Sequence, residues 1–149
     1  MTELPNVHPA VAASLTIWHD VIARADTTHL PSITHPDALF RSPIAINPYR
    51  SADALVLAVT TVLTIFRDFV YHRQAVAADG LNVILEFSAM VEDKEIKGID
   101  LMRFDEDGKL LELEVLIRPL NGLQVLAAEM GQRLGGRLPA YKQDRRAIA

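Results

Sequence analysis

The stretch Ile99-Asp100-Leu101-Met102-Arg103-Phe104-Asp105-Glu106-Asp107-Gly108-Lys109-Leu110 reads as the end of one strand, a turn and the start of the next. Asp107-Gly108 supplies the turn chemistry, because glycine accepts the positive φ that a tight hairpin needs. Side chains alternate along a strand, so Asp100 shares a face with Met102 and Phe104. An ionised aspartate on an apolar face carries a large desolvation cost, and it must be paired, hydrogen-bonded or protonated at neutral pH. Each of those states can serve chemistry.

Working outward, the same period of two recurs in four runs: Phe69 to Ala77, Asn82 to Glu92, Glu95 to Phe104 and Lys109 to Arg118. Asp79-Gly80, Asp93-Lys94 and Asp107-Gly108 separate them, which predicts an antiparallel meander. A two-residue loop at Asp93-Lys94 sets Glu92 opposite Glu95, Phe87 opposite Asp100 and Leu85 opposite Met102. One face then collects Val83, Leu85, Phe87, Gly98, Asp100, Met102 and Phe104, with Leu113, Val115 and Ile117 alternating in the same way on the last strand. The other face mixes Ile84, Ile99 and Leu101 with Glu86, Lys97 and Arg103. That is more apolar surface than a solvated sheet face requires, and it predicts a homodimer through the outer face of the sheet.

Ahead of the sheet, Val11, Leu15, Trp18 and Ile22 recur at helical spacing from Pro9 to Ala25. A short helical turn carries Leu30 and Ile33, His35-Pro36-Asp37 stops it, and Ala38 to Ser42 reads as a short strand. Ser51 is a good N-cap and Asp53 complements a helix dipole, which predicts a second long helix from Ser51 to Asp68 despite its β-branched residues. Leu123, Leu126, Met130 and Leu134 give a terminal helix that Gly135-Gly136 ends. Helices packed on one face of a curved antiparallel sheet make an α+β domain whose inner face can enclose a pocket. The expected organisation is an N-terminal arm at 1–8, one domain at 9–136 and a loose basic tail at 137–149.

The chain has 149 residues, 50% hydrophobic and 23% charged, enough for one domain with a real core. A net charge of −4 argues against a nucleic-acid surface, and small apolar ligands are the expected partners. Without cysteine there is neither a thiolate nucleophile nor a cysteine metal site, and a cytoplasmic location is the expectation. The most apolar run, Ala54 to Phe66, is too short to span a bilayer, which takes about 20 residues. The histidines have no metal-ligand spacing, so neither metal nor cofactor is expected.

The helix followed by Arg24-Ala25-Asp26, the strand ending Phe40-Arg41-Ser42-Pro43, the helix from Ser51 and the Gly98 to Gly108 hairpin together resemble the nuclear transport factor 2-like superfamily. That superfamily includes ketosteroid isomerases, SnoaL-like polyketide cyclases, scytalone dehydratase and limonene epoxide hydrolases. The resemblance covers roughly Pro9 to Leu134. It implies a cone, a strongly bent sheet wrapped around the first helix with an apolar cavity open at one end. Asp100 falls where ketosteroid isomerases hold a protonated aspartic acid that donates to the developing enolate oxygen, a case known from enzymes of that class. Trp18 falls where they hold a tyrosine donor, and an indole N–H also donates. Ser42 stands where their aspartate base precedes proline, which makes standard ketosteroid isomerisation an unfavourable reading. The acid that cyclases and epoxide hydrolases carry on the last strand is matched by Val115, with Glu114 facing away. His72 is the replacement base that the sequence offers.

Three functions remain open at this level. In the first, the cavity binds a small, mostly apolar ligand anchored by Asp100 and lined by Trp18, Phe40, Ser42, Phe87, Met102, Phe104, Leu113, Val115 and Ile117. In the second, a cofactor-free isomerase, dehydratase or cyclase uses Asp100 as general acid and His72 as base. In the third, Phe40, Phe87, Met102 and Phe104 fill the cavity and the domain serves dimerisation.

Overall fold

The computed structural model describes residues 4–138. The elements follow in the order α1 (Pro9–Arg24), a 3-10 turn (Leu30–Ile33), β1 (Thr34–Arg41), β2 (Tyr49–Arg50), α2 (Ala52–Val62), β3 (Arg67–Val76), β4 (Asn82–Val91), β5 (Lys94–Phe104), β6 (Leu110–Arg118) and α3 (Leu120–Leu134). The six strands form one curved, open sheet in the order β2-β1-β6-β5-β4-β3. This is the α+β architecture expected from the sequence. The last residue of the arm is tied in: the His8 N–H donates to the Gly80 carbonyl, and the His8 ring caps α1 by accepting from Ala10 N–H. The expected tail, apart from its first two residues, lies outside the described residues.

Three local expectations are corrected. The β4–β5 turn is Glu92-Asp93, with Glu92 in the left-handed region at φ 52°, so Val91 pairs with Lys94 and Asp100 lies opposite Leu85. The register is two residues from the expected one, and because two is the strand period every side chain keeps its face. Val83, Leu85, Phe87, Gly98, Asp100, Met102 and Phe104 are all buried. Second, α2 ends at Val62 and not at Asp68. Thr60, Thr61 and Thr64 turn their hydroxyls back onto carbonyls of Val56, Leu57 and Thr61, the local competition that shortens helices rich in threonine. From Arg67 the chain pairs with β4 instead.

Third, β1 starts at Thr34, includes Pro36, and lies parallel to β6, with Phe40 beside Leu113. A register irregularity between Thr34 and Leu39 absorbs the proline, which has no N–H to give to a ladder. The sheet is therefore a meander of β3 to β6 extended by a parallel strand, and β2 forms its edge beyond β1. No helix among the described residues is long and apolar enough to cross a membrane.

The helix α1 packs its Val11, Leu15, Trp18 and Val21 into the core with Val83, Leu85, Met102 and Phe104. Gly108 fixes its position: the glycine has φ +80°, its carbonyl accepts from Ser14 Oγ at 2.5 Å, and an added Cβ would lie 2.5 Å from the Ala10 carbonyl oxygen. Only glycine fits both the turn and this approach. At the other end, α2 and α3 cover the inner face together with a second apolar group of Phe87, Ala89, Val91, Ile96 and Leu126.

Candidate functional site

Between the inner sheet face and the three helices lies a cavity of about 280 Å³. Its walls carry Trp18 and Ile22 from α1, Phe40 from β1, Val59 and Val62 from α2, Phe69 and Tyr71 from β3, Phe87 from β4, Asp100 from β5, Leu113, Val115 and Ile117 from β6, and Leu126 and Met130 from α3. Of the residues expected around a ligand, Trp18, Phe40, Ser42, Phe87, Leu113, Val115 and Ile117 line it. Met102 and Phe104 do not. Both are buried on the expected face, but they sit nearer the α1 end of the sheet and fill core with Val11 and Leu15. The cavity is thus not packed shut by its aromatic residues.

Asp100 is 6% exposed and reaches the cavity wall. Its Oδ2 accepts from the Tyr71 hydroxyl at 2.8 Å, and the Tyr71 oxygen in turn accepts from the Trp18 indole N–H at 2.9 Å. The directions in this chain are forced. An indole N–H only donates, so the Tyr71 oxygen accepts from it and the tyrosine proton goes to Asp100. Trp18 therefore supports the acid through Tyr71, and the indole N–H that the resemblance offered as a second donor is taken up by the Tyr71 oxygen. Oδ1 of Asp100 has no partner among the described residues, and it is the atom left for a ligand. Burial raises the Asp100 carboxyl from 3.8 to about 7, against the lowering effect of the Tyr71 hydrogen bond. The same burial, reinforced by the neighbouring carboxylate, pushes Tyr71 well above its usual value and keeps its proton in place.

Sequence reasoning missed Tyr71. The signal was present, since Phe69 and Tyr71 alternate on one run, but the titratable neighbour His72 drew the assignment. The structure turns His72 to the outer face, where it is exposed and its Nε2 lies 2.7 Å from Ser88 Oγ. An irregularity between Tyr71 and Gln74 sends both His72 and Arg73 outward. His72 is therefore no base for this cavity. Ser42 does line it, yet its Oγ accepts from the Ile44 N–H at 3.2 Å and closes a local turn. Val115 stands opposite Asp100, while Glu114 pairs with Leu101 on the outer side. Among the described lining residues Asp100 is the sole carboxyl, and no imidazole, lysine or arginine joins it.

The outer face holds a different arrangement. Glu86 accepts from Arg73 at 2.5 and 2.9 Å and lies 3.5 Å from Lys97, and Arg73 above all holds its carboxyl down at about 2. Around it Val70, Ile84 and Leu116 are 49%, 41% and 45% exposed.

Comparisons with known proteins agree with this geometry. The model of the SnoaL-like domain matches residues 15–113. The structure of a steroid delta-isomerase from Pseudomonas aeruginosa is 51% identical, with 92% of this chain and 99% of that chain covered and a TM-score of 0.87. An uncharacterised bacterial protein with a cystatin-like fold from Silicibacter pomeroyi is 24% identical over 92% of this chain and 94% of its own, with a TM-score of 0.80. An NTF2-like protein of unknown function from Mesorhizobium loti is 19% identical over 75% and 93%, at a TM-score of 0.65. No curated protein matches the sequence. With the match spanning most of the sheet and α1, and with the fold shared along nearly the whole chain, this protein belongs to the SnoaL-like domain family, on an NTF2-like fold.

Proposed function

We propose that the protein binds a small, ring-containing apolar ligand carrying one oxygen, and that Asp100 holds that oxygen. The observation behind this reading is the directed chain from Trp18 through Tyr71 to Asp100 on the wall of an otherwise apolar cavity. Protonated, Asp100 donates to a ketone or ether oxygen. Ionised, it accepts from a hydroxyl. The cavity, at about 280 Å³, suits two fused rings better than a long chain.

Trp18 is the sole tryptophan and lies in the wall, so its fluorescence reports occupancy. Titration with 2-naphthol and 2-tetralone is expected to saturate. Asp100→Leu, which keeps the size of the side chain and removes both donor and acceptor, should weaken both, on the order of tenfold for one buried hydrogen bond, while leaving naphthalene unchanged. Equal affinity for 2-naphthol in wild type and variant removes Asp100 from the site.

The second reading, a cofactor-free isomerase, dehydratase or cyclase, is favoured by the 51% identity to a protein described as a steroid delta-isomerase. In this chain Asp100 would both remove and return the proton, since Ser42 is occupied and His72 faces outward. A carboxyl raised to about 7 is well matched to that work near neutral pH. The third reading, a domain whose cavity is closed, is disfavoured by the open volume. For assembly we propose a homodimer through the outer sheet face, supported by Val70, Ile84 and Leu116 around the charged cluster at Glu86.

A further inference from the structure

Of the described residues that line the cavity, three are also exposed: Ile44 after β1, and Gly131 and Gly136 at the end of α3. The mouth therefore lies between the loop at Pro43-Ile44 and the last turn of α3. Gly131 is the unusual member. It sits inside the helix, where glycine is less favourable than any residue except proline, and its backbone does not take the positive φ that would explain it. Nor does packing explain it. An added Cβ at Gly131 would meet nothing among the described residues within 4 Å, whereas at Gly122 in the same helix it would lie 2.5 Å from Ile96. Gly122 is needed for contact with the sheet, and Gly131 leaves space.

We propose that Gly131 sets the width of the cavity entrance and so determines the size of ligand admitted. A side chain there would lean toward the helix N-terminus, over Ala127, which also lines the cavity. It would project into the opening that faces Ile44. The inference deepens the binding function proposed above, since a selective mouth matters only if the cavity takes a ligand.

Acrylamide, a small neutral quencher, tests the mouth without any ligand. Trp18 is 2% exposed on the protein surface and borders the cavity, so quenching reports entry. Wild-type protein should be quenched, Gly131→Leu should reduce the quenching constant several-fold, and Gln132→Leu, on an exposed position outside the lining, should not. Gly131→Ala guards against a misfolded leucine variant: it should melt higher than wild type, because alanine favours the helix, and show intermediate quenching. Equal quenching of wild type and Gly131→Leu, or no quenching of wild type, overturns the proposal. If the mouth responds as stated but neither 2-naphthol nor 2-tetralone binds, the entrance stands and the ligand reading falls.

Discussion

The proton on Asp100 couples the site to stability. The carboxyl titrates at about 7 in the fold and near 3.8 when exposed. Below the lower value both states are protonated. Between the two the unfolded chain gives up a proton that the folded chain keeps, so stability falls as pH rises from about 4 to 7 and levels off above. Asp100→Asn has no proton to lose. Its stability relative to wild type should therefore increase between pH 5 and pH 8 by a few kcal/mol, read from urea unfolding at each pH. Parallel behaviour of the two proteins would mean that Asp100 titrates normally. Glu86, with its carboxyl at about 2, shifts stability the other way, present above 4.5 and lost as pH falls toward 2, outside most of that window. Asp100 was legible in the sequence because one acid interrupted an apolar alternation. Tyr71 was legible only as a neighbour on the face of Phe69, because the reach of its hydroxyl to Asp100 depends on how β3 lies against β4 and β5.

At the level of elements, the β4–β5 hairpin carries the site. Gly98 lies opposite Phe87, and an added Cβ would come within 2.5 Å of the Leu116 carbonyl oxygen and 2.7 Å of the Phe87 ring. The missing side chain lets Phe87 lie flat across β5 and join Phe66 and Phe69, whose rings sit 5.9 and 5.0 Å from it. Gly98→Ala should cost on the order of 1–3 kcal/mol, since a backbone oxygen cannot yield as a side chain does, and a thermal melt should register it. An unchanged melting temperature would mean that the sheet relaxes there. Alternation found the faces of β4 to β6 correctly, and it survived a register error because the error was even. Nothing in the sequence period could reveal that β1 runs parallel to β6, since partners so distant in the chain leave no local mark.

For the molecule as a whole, the outer sheet face and the cavity lie on opposite sides of the same strands, so assembly need not block the mouth. Ile84→Glu puts a carboxylate beside Glu86 on a face proposed to meet its own copy, and it should convert a dimer to a monomer in sedimentation. A wild-type monomer, or a variant that still dimerises, counts against that face. The pairing of Phe40 with Leu113 has a further consequence. As the chain leaves the ribosome, β1 has no neighbour on one side until β6 has been synthesised, so the cavity is a late event of folding. Contacts of such long sequence separation slow the search for the native state. Until they form, Phe40 and the other apolar walls of the future cavity are open to water, and the nascent chain carries the exposed apolar surface that chaperones recognise.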